Sequence, residues 1–182
     1  MKKVIVIMVV IVIAAFLYVA RNNPSAPVIE TSAPNETGAF RPDPSNATFT
    51  LDNESITLSK GKNSRSVVPG SALIEETNLM DKFAYGDINA DNKEDTVLFL
   101  ARYGGGSGIF VYLAGYVSGP VTYRGSVAMF IGDRIIPQSI DVSRGIVTIK
   151  YLDRQAGEAL AAEPTVLASK QFIFKNGEFV ER

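Results

Sequence analysis

The chain of 182 residues carries 18 basic and 19 acidic side chains, and its formal net charge of −1, with both signs interspersed, argues against a nucleic-acid partner. It contains no cysteine, histidine or tryptophan. The first two absences remove disulfides, Ser-His-Asp and Cys-His catalysis, zinc sites built on imidazole or thiolate, and haem or iron–sulfur ligation; carboxylates, hydroxyls, lysines and arginines remain for any chemistry.

Met1, Lys2 and Lys3 precede an uncharged apolar run, VIVIMVVIVIAAFLYVA, that ends before Arg21. As a helix it spans roughly 25 Å, enough to cross a bilayer with slight thinning. The small-residue cleavage pattern of a signal peptide is poor here, because Tyr18 precedes Ala20 by two and prolines follow Ala26 and Ala33. Residues 1–21 are therefore read as a transmembrane signal anchor, with a cleaved signal peptide as the alternative. Two lysines on the leading side orient the remainder outside the cytoplasm. Residues 22–47 hold five of the nine prolines with no helix or strand period, which predicts a disordered linker rich in Pro, Ser and Asn.

From residue 48 the pattern changes to short strands. Phe49 and Leu51, then Ile56 and Leu58, alternate with polar residues across Asp52-Asn53-Glu54, the signature of a hairpin. Further strands are expected over 96–103, 108–117, 127–131, 139–143, 146–152, 166–174 and 178–181. The runs VLFLA and IFVYLAGYV are apolar on both faces and predict central strands covered on both sides. Val147, Ile149 and Tyr151 share one face of a half-buried strand. Ser143-Arg144-Gly145 and Lys175-Asn176-Gly177 supply turns between consecutive strands. The reading is mainly β: a single antiparallel β-rich domain over 48–182, a sandwich or curled sheet, with 156–164 as a loop or one short helix.

One segment carries a chemical signal, GDINADNKED over 86–95. Counting from Asp87, oxygen side chains fall at positions 1, 3, 5 and 9: Asp87, Asn89, Asp91 and Asp95. Such alternation in a curled loop lets short side chains converge on a hard cation, with the Lys93 carbonyl at position 7 as a further ligand, and predicts calcium. Position 6, where an EF-hand loop bends sharply at Gly, is Asn92, which tolerates the left-handed conformation best after glycine. Position 12 is Leu98 in a strand, so the segment is no EF-hand. A plain polar turn is the alternative.

The loop resembles the calcium-binding DxNxDxxxD loop of FG-GAP repeats of integrin-type propellers, which likewise runs into a strand. The resemblance implies Asp87, Asn89, Asp91 and Asp95 as side-chain ligands and Lys93 through its carbonyl. Only one copy is present, so a propeller is not implied. The order GDINADNKED, GGGSG, IGDRI more loosely resembles a small domain of uncharacterised bacterial membrane-anchored proteins and lipoproteins, which implies no activity.

Other motifs read as structure. GGGSG over 104–108 lacks the Lys-Ser/Thr of a phosphate loop and reads as a hairpin connection. Ser59 and Lys62 match Ser-x-x-Lys only formally, since Gly61 and a strand context do not suit a helix-borne nucleophile. Asp133, Arg134, Asp153 and Arg154 suggest an ion-pair network or a ligand rim. Two functions follow. The first is a membrane-tethered extracytoplasmic binding module with a calcium-stabilised loop, whose partner is an envelope protein or a glycan. The second is a cell-envelope hydrolase using carboxylates, with Glu158 and Glu163 as loop candidates.

Overall fold

The computed structural model describes residues 40–182, which pack as one compact unit. The expected anchor, and the expected linker up to residue 39, lie outside the described residues. Among the described residues no helix is long and apolar enough to cross a membrane.

The described chain is built of strands: β1 (Thr48–Leu51), β2 (Glu54–Thr57), β3 (Lys62–Ser66), β4 (Ile74–Gly86), β5 (Asp95–Gly104), β6 (Phe110–Val117), β7 (Arg124–Gly125), β8 (Met129–Asp133), β9 (Ile136–Ser143), β10 (Ile146–Asp153), β11 (Val166–Lys175) and β12 (Glu178–Glu181). They form a β1-β2 ribbon, a sheet of order β3-β4-β5-β6-β7 with β8 also on β6, and a sheet of order β12-β11-β10-β9. All these pairings are antiparallel.

Tight turns make this order cheap to close. Arg144-Gly145 (φ 52° and 73°) and Asn176-Gly177 (φ 54° and 90°) both adopt the left-handed conformation at two successive residues, which matches the right-handed twist of the strands they join. Asp52-Asn53 does the same between β1 and β2, with φ of 49° and 68°.

The apolar runs explain the layering. Every residue of β5 from Asp95 to Arg102 is buried, because the sheet containing it is covered on both faces. On one face Val97, Phe99, Val111 and Leu113 meet Phe172 and Phe179 of the four-stranded sheet, with Val147, Ile149 and Tyr151 aligned on β10 as their alternation requires. On the other face Leu98, Leu100 and Ala114 meet Phe49, Leu51, Ile56 and Leu58 of the ribbon. Each fully buried Phe or Leu side chain contributes about 2 kcal/mol, so the ribbon is held by its own core.

Two differences from the sequence reading have physical causes. β3, KNSRS, is too polar to show a strand pattern, and β4 carries four charged residues plus a register break between Leu79 and Phe83 that destroys its alternation. Residues 156–164 take the loop alternative of the sequence reading, with turns and a bend and no helix. The packed unit starts at Phe40, inside the proline-rich stretch: Pro42 and Pro44 are buried, Thr96 Oγ1 donates to the Pro42 carbonyl at 2.6 Å, and Phe40 lies 5.8 Å from the Tyr123 ring.

Candidate functional site

The loop between β4 and β5 curls as its side chains dictate. Asp87 folds back on the loop: its Oδ1 accepts the N–H groups of Ala90 (2.7 Å) and Asp91 (3.2 Å), and its Oδ2 that of Asn92 (2.8 Å). Asn92 bends the chain with φ 63°, in the left-handed conformation that its position predicts, and Ala90 does so as well at 64°. Asn89 Oδ1 accepts the Asp91 N–H at 3.1 Å, while its amide donates to the Ser118 carbonyl at 3.0 Å.

Asp91 accepts the Lys93 N–H at 2.9 Å with one oxygen and the Ser118 hydroxyl with the other. The Ser118 hydroxyl, aided by the Lys93 N–H, holds the Asp91 carboxyl below its ordinary value. Lys93 Nζ stands 3.9 Å from Asp91 and 3.4 Å from the Gly119 carbonyl. Asp95 has 0% exposure and lies beneath the loop, where its oxygens accept the N–H groups of Ile88 (3.0 Å) and Ser118 (2.8 Å). Burial raises its pKa in spite of these donors.

The structure thus brings Asp87, Asn89, Asp91, Lys93 and Asp95 into one loop, but turns the carboxylates toward N–H and hydroxyl donors. Among the described residues no three acidic side chains converge as a metal-holding group. A carboxylate offers about four lone-pair sites, so oxygens that accept these donors still have capacity for a hard cation.

A second polar centre lies at the far end of the ribbon-covered face. Register places Arg65 opposite Glu75, and Arg102 between Thr77 and Phe110. The β1–β2 turn overhangs this row. Arg102 Nη2 donates to Glu54 (2.7 Å) and Glu75 (2.8 Å), and Nη1 to Asp52 (3.1 Å). Arg65 donates to Glu75 at 2.9 Å and also to Glu54. Tyr112 closes the group with a 2.6 Å bond to Asp52.

Electrostatics follow from these contacts. Arg102 and then Arg65 hold the Glu54 carboxyl below its usual range. Burial alone would lower the Arg102 pKa, but Glu75 and Glu54 outweigh it and the net shift is upward. Burial, then Asp52, pushes the Tyr112 phenol well up. Beside the cluster is a cavity of about 490 Å³ lined by Asp52, Glu54, Glu75, Arg102, Phe110 and Tyr112, with Gly104 at its floor.

The remaining sequence candidates are structural. Ser59 and Lys62 pair with each other across the Lys60-Gly61 turn. GGGSG connects β5 to β6. Glu158 accepts the Gln155 N–H at 2.8 Å. Arg134 and Arg154 bond mainly to backbone carbonyls: Arg134 to Ser107 and Leu160, Arg154 to Ala162, Asp133 and Arg134. Their contacts with Asp133 and Asp153 are longer, at 3.7 and 3.8 Å. They line a second cavity of about 560 Å³ together with Ser107 and residues 160–164.

No protein-family model, curated protein or solved structure matches the chain. The Arg102 centre was missed by the sequence reading. One signal was available: Arg102 ends an otherwise apolar buried run, and a buried guanidinium demands carboxylate partners.

Proposed function

We propose that this chain is a membrane-tethered extracytoplasmic binding module whose 87–95 loop is stabilised by calcium. The observation that carries it is the cavity beside Arg102, where polar groups fixed by mutual ion pairs face an aromatic wall, the make-up of a ligand site. The apolar run of residues 4–20 and the proline-rich segment after it support the tether. Oxygen spacing in the loop and the left-handed Asn92 support calcium, which requires Asp91 to turn from Ser118 toward the loop centre.

A carboxylate hydrolase is the second reading, favoured by three carboxylates around one cavity. Glycoside hydrolysis needs one carboxyl kept neutral by a raised pKa, whereas Glu54 is shifted the other way. The test of the main reading is cell fractionation of the full chain. It should sediment with membrane, and protease added to intact cells should remove the β-strand part; a cytosolic, protease-protected product overturns it.

A further inference from the structure

The cavity beside Arg102 owes its existence to Gly104. On this face Arg65, Glu75 and Gly104 form one cross-strand row, and Thr77, Arg102 and Phe110 the next. The first row ends at a residue without a side chain. Its floor is open beside Glu75, whose Oε2 lies 3.6 Å from where a Cβ on Gly104 would be.

The cluster around this opening is only half used. Glu75 Oε1 serves both arginines, Glu54 Oε2 serves both arginines, and Asp52 Oδ2 serves Arg102 and Tyr112. The second oxygen of each carboxylate, Glu75 Oε2, Glu54 Oε1 and Asp52 Oδ1, has no hydrogen-bond partner among the described residues. A ligand that fits must therefore donate hydrogen bonds. Three carboxylates against two guanidinium groups leave one negative charge in excess, but Arg102 already occupies the point where the carboxylates meet and Arg65 stands beside it, so a further cation there meets two like charges at close range. Neutral hydroxyl groups donate without that repulsion and also accept.

The adjoining wall is aromatic. Phe110 and Tyr112 line the cavity, and Phe130 packs on both, at 6.2 and 5.6 Å between ring centroids. Phe130 is 52% exposed, which leaves an apolar ring accessible beside the two aromatic residues that line the cavity. A sugar ring has these two requirements at once, hydroxyls at its edge and C–H groups on its face.

We propose that the Gly104 cavity binds a neutral pyranose, whose hydroxyls bond to the free oxygens of Asp52, Glu54 and Glu75 while its C–H face rests on Phe110 and Phe130. This rests on the binding-module reading and names the ligand class for it. The sugar is either a free saccharide or a unit of an envelope polymer.

Gly104 also provides the test. Its backbone φ lies outside the left-handed region and its only Cβ neighbour is at ordinary contact distance, so Gly104→Leu fills the cavity without removing an ion pair. Full-length protein in a detergent without a sugar headgroup is mixed with cellobiose or N,N′-diacetylchitobiose and observed by saturation-transfer difference NMR. Co-sedimentation with insoluble cellulose and chitin is measured in parallel. Signals on sugar ring protons that weaken by about tenfold or more in Gly104→Leu, at unchanged melting temperature, are expected. Phe130→Ala, at an exposed site outside the ion cluster, should weaken binding too and serves if Gly104→Leu fails to fold.

Signals from the disaccharides identify a free saccharide, and Gly104-dependent sedimentation alone identifies a polymer. Binding unchanged in both variants, or none to any of these four glycans, overturns the proposal. So does preferential binding of n-butylammonium blocked by Gly104→Leu, which leaves the module reading standing with a different ligand. Release of new reducing ends keeps the sugar site but replaces the module by a hydrolase.

Discussion

The Asp95 carboxylate accepts the Ser118 backbone N–H at 2.8 Å from a position with 0% exposure. Its second oxygen takes the Ile88 N–H at 3.0 Å, so this one side chain fastens both the start of the 87–95 loop and the end of β6. Of the four side chains that the oxygen spacing selects, Asp95 is thus the one most committed to the fold.

Asp95→Ala should therefore lower unfolding free energy by about 2–4 kcal/mol in urea, since two buried N–H groups lose their acceptor. The pH dependence is opposite to that of a salt-bridged Asp. Burial raises the folded pKa above the ordinary 3.8, so the folded state holds the proton more firmly than the unfolded chain. Its contribution to stability falls as pH rises from 3.8 through the raised value and is constant above it. Asp95→Asn should remove that slope from the denaturation midpoints; an unaltered slope would show that Asp95 does not titrate in this way.

Asp87 and Asp91 separate the structural role of the loop from its calcium role. With a dissociation constant on the order of 10⁻⁴ M, about 1 mM calcium stabilises the protein by roughly 1.4 kcal/mol and raises the melting temperature by about 5 °C. Asp91→Ala should abolish that response. Asp87→Ala should in addition cost about 1–2 kcal/mol without calcium, because three backbone N–H groups lose their acceptor. Identical melting of wild type and Asp91→Ala, with and without calcium, would make the loop a polar turn.

These cases show which parts of the structure are written locally. Asn92 adopts the left-handed conformation its identity predicts, and turns form at Arg144-Gly145 and Asn176-Gly177 as expected, because a turn depends on few neighbours. The alternation of Val147, Ile149 and Tyr151 fixes one strand face for the same reason. β3 and β4 were invisible because their pairing, not their composition, makes them strands. The Arg102 centre was hidden for a related reason. Asp52 and Glu54 read as ordinary turn residues, and only the ribbon's docking brings them to an arginine about 50 residues away.

Replacing Arg102 should be costly. Its side chain is only 11% exposed and pairs with Asp52, Glu54 and Glu75, so Arg102→Met leaves three carboxylates under the turn with Arg65 as the one remaining cation of the cluster. A loss of about 3 kcal/mol is expected. Glu54 titrates below its ordinary 4.5, so its share of stability is present above 4.5 and is lost as pH falls through the lowered value. Tyr112→Phe removes one bond to Asp52 and should cost about 1 kcal/mol by the same urea measurement.

The ribbon also depends on a close backbone approach. A Cβ added to Gly125 of β7 would sit 2.1 Å from the Thr48 carbonyl oxygen of β1, and backbone cannot move aside as a side chain tip does. Gly125→Ala should destabilise by about 3 kcal/mol and loosen β1 first. Hydrogen exchange should then accelerate at Thr50 and Ala128, whose N–H groups bond across this junction, ahead of β10.

Arg154 should behave as a clamp on the loop 156–164. Its side chain is 7% exposed, and its Nε, Nη1 and Nη2 donate to the carbonyls of Ala162, Asp133 and Arg134. A fork of fixed donors serves three carbonyls at once, which the single ammonium of lysine does not reproduce. Arg154→Lys should therefore cost about 2 kcal/mol even though charge is kept. The defect should be local, since the loop bonds back to the sheet through few other groups, among them Thr165 to Asp153 at 2.9 Å. Limited proteolysis should cut the variant within 156–164 faster than wild type while β10 and β11 stay protected. Equal cleavage of the two proteins would show that the loop is held by its other contacts and that the guanidinium geometry is not what fixes it.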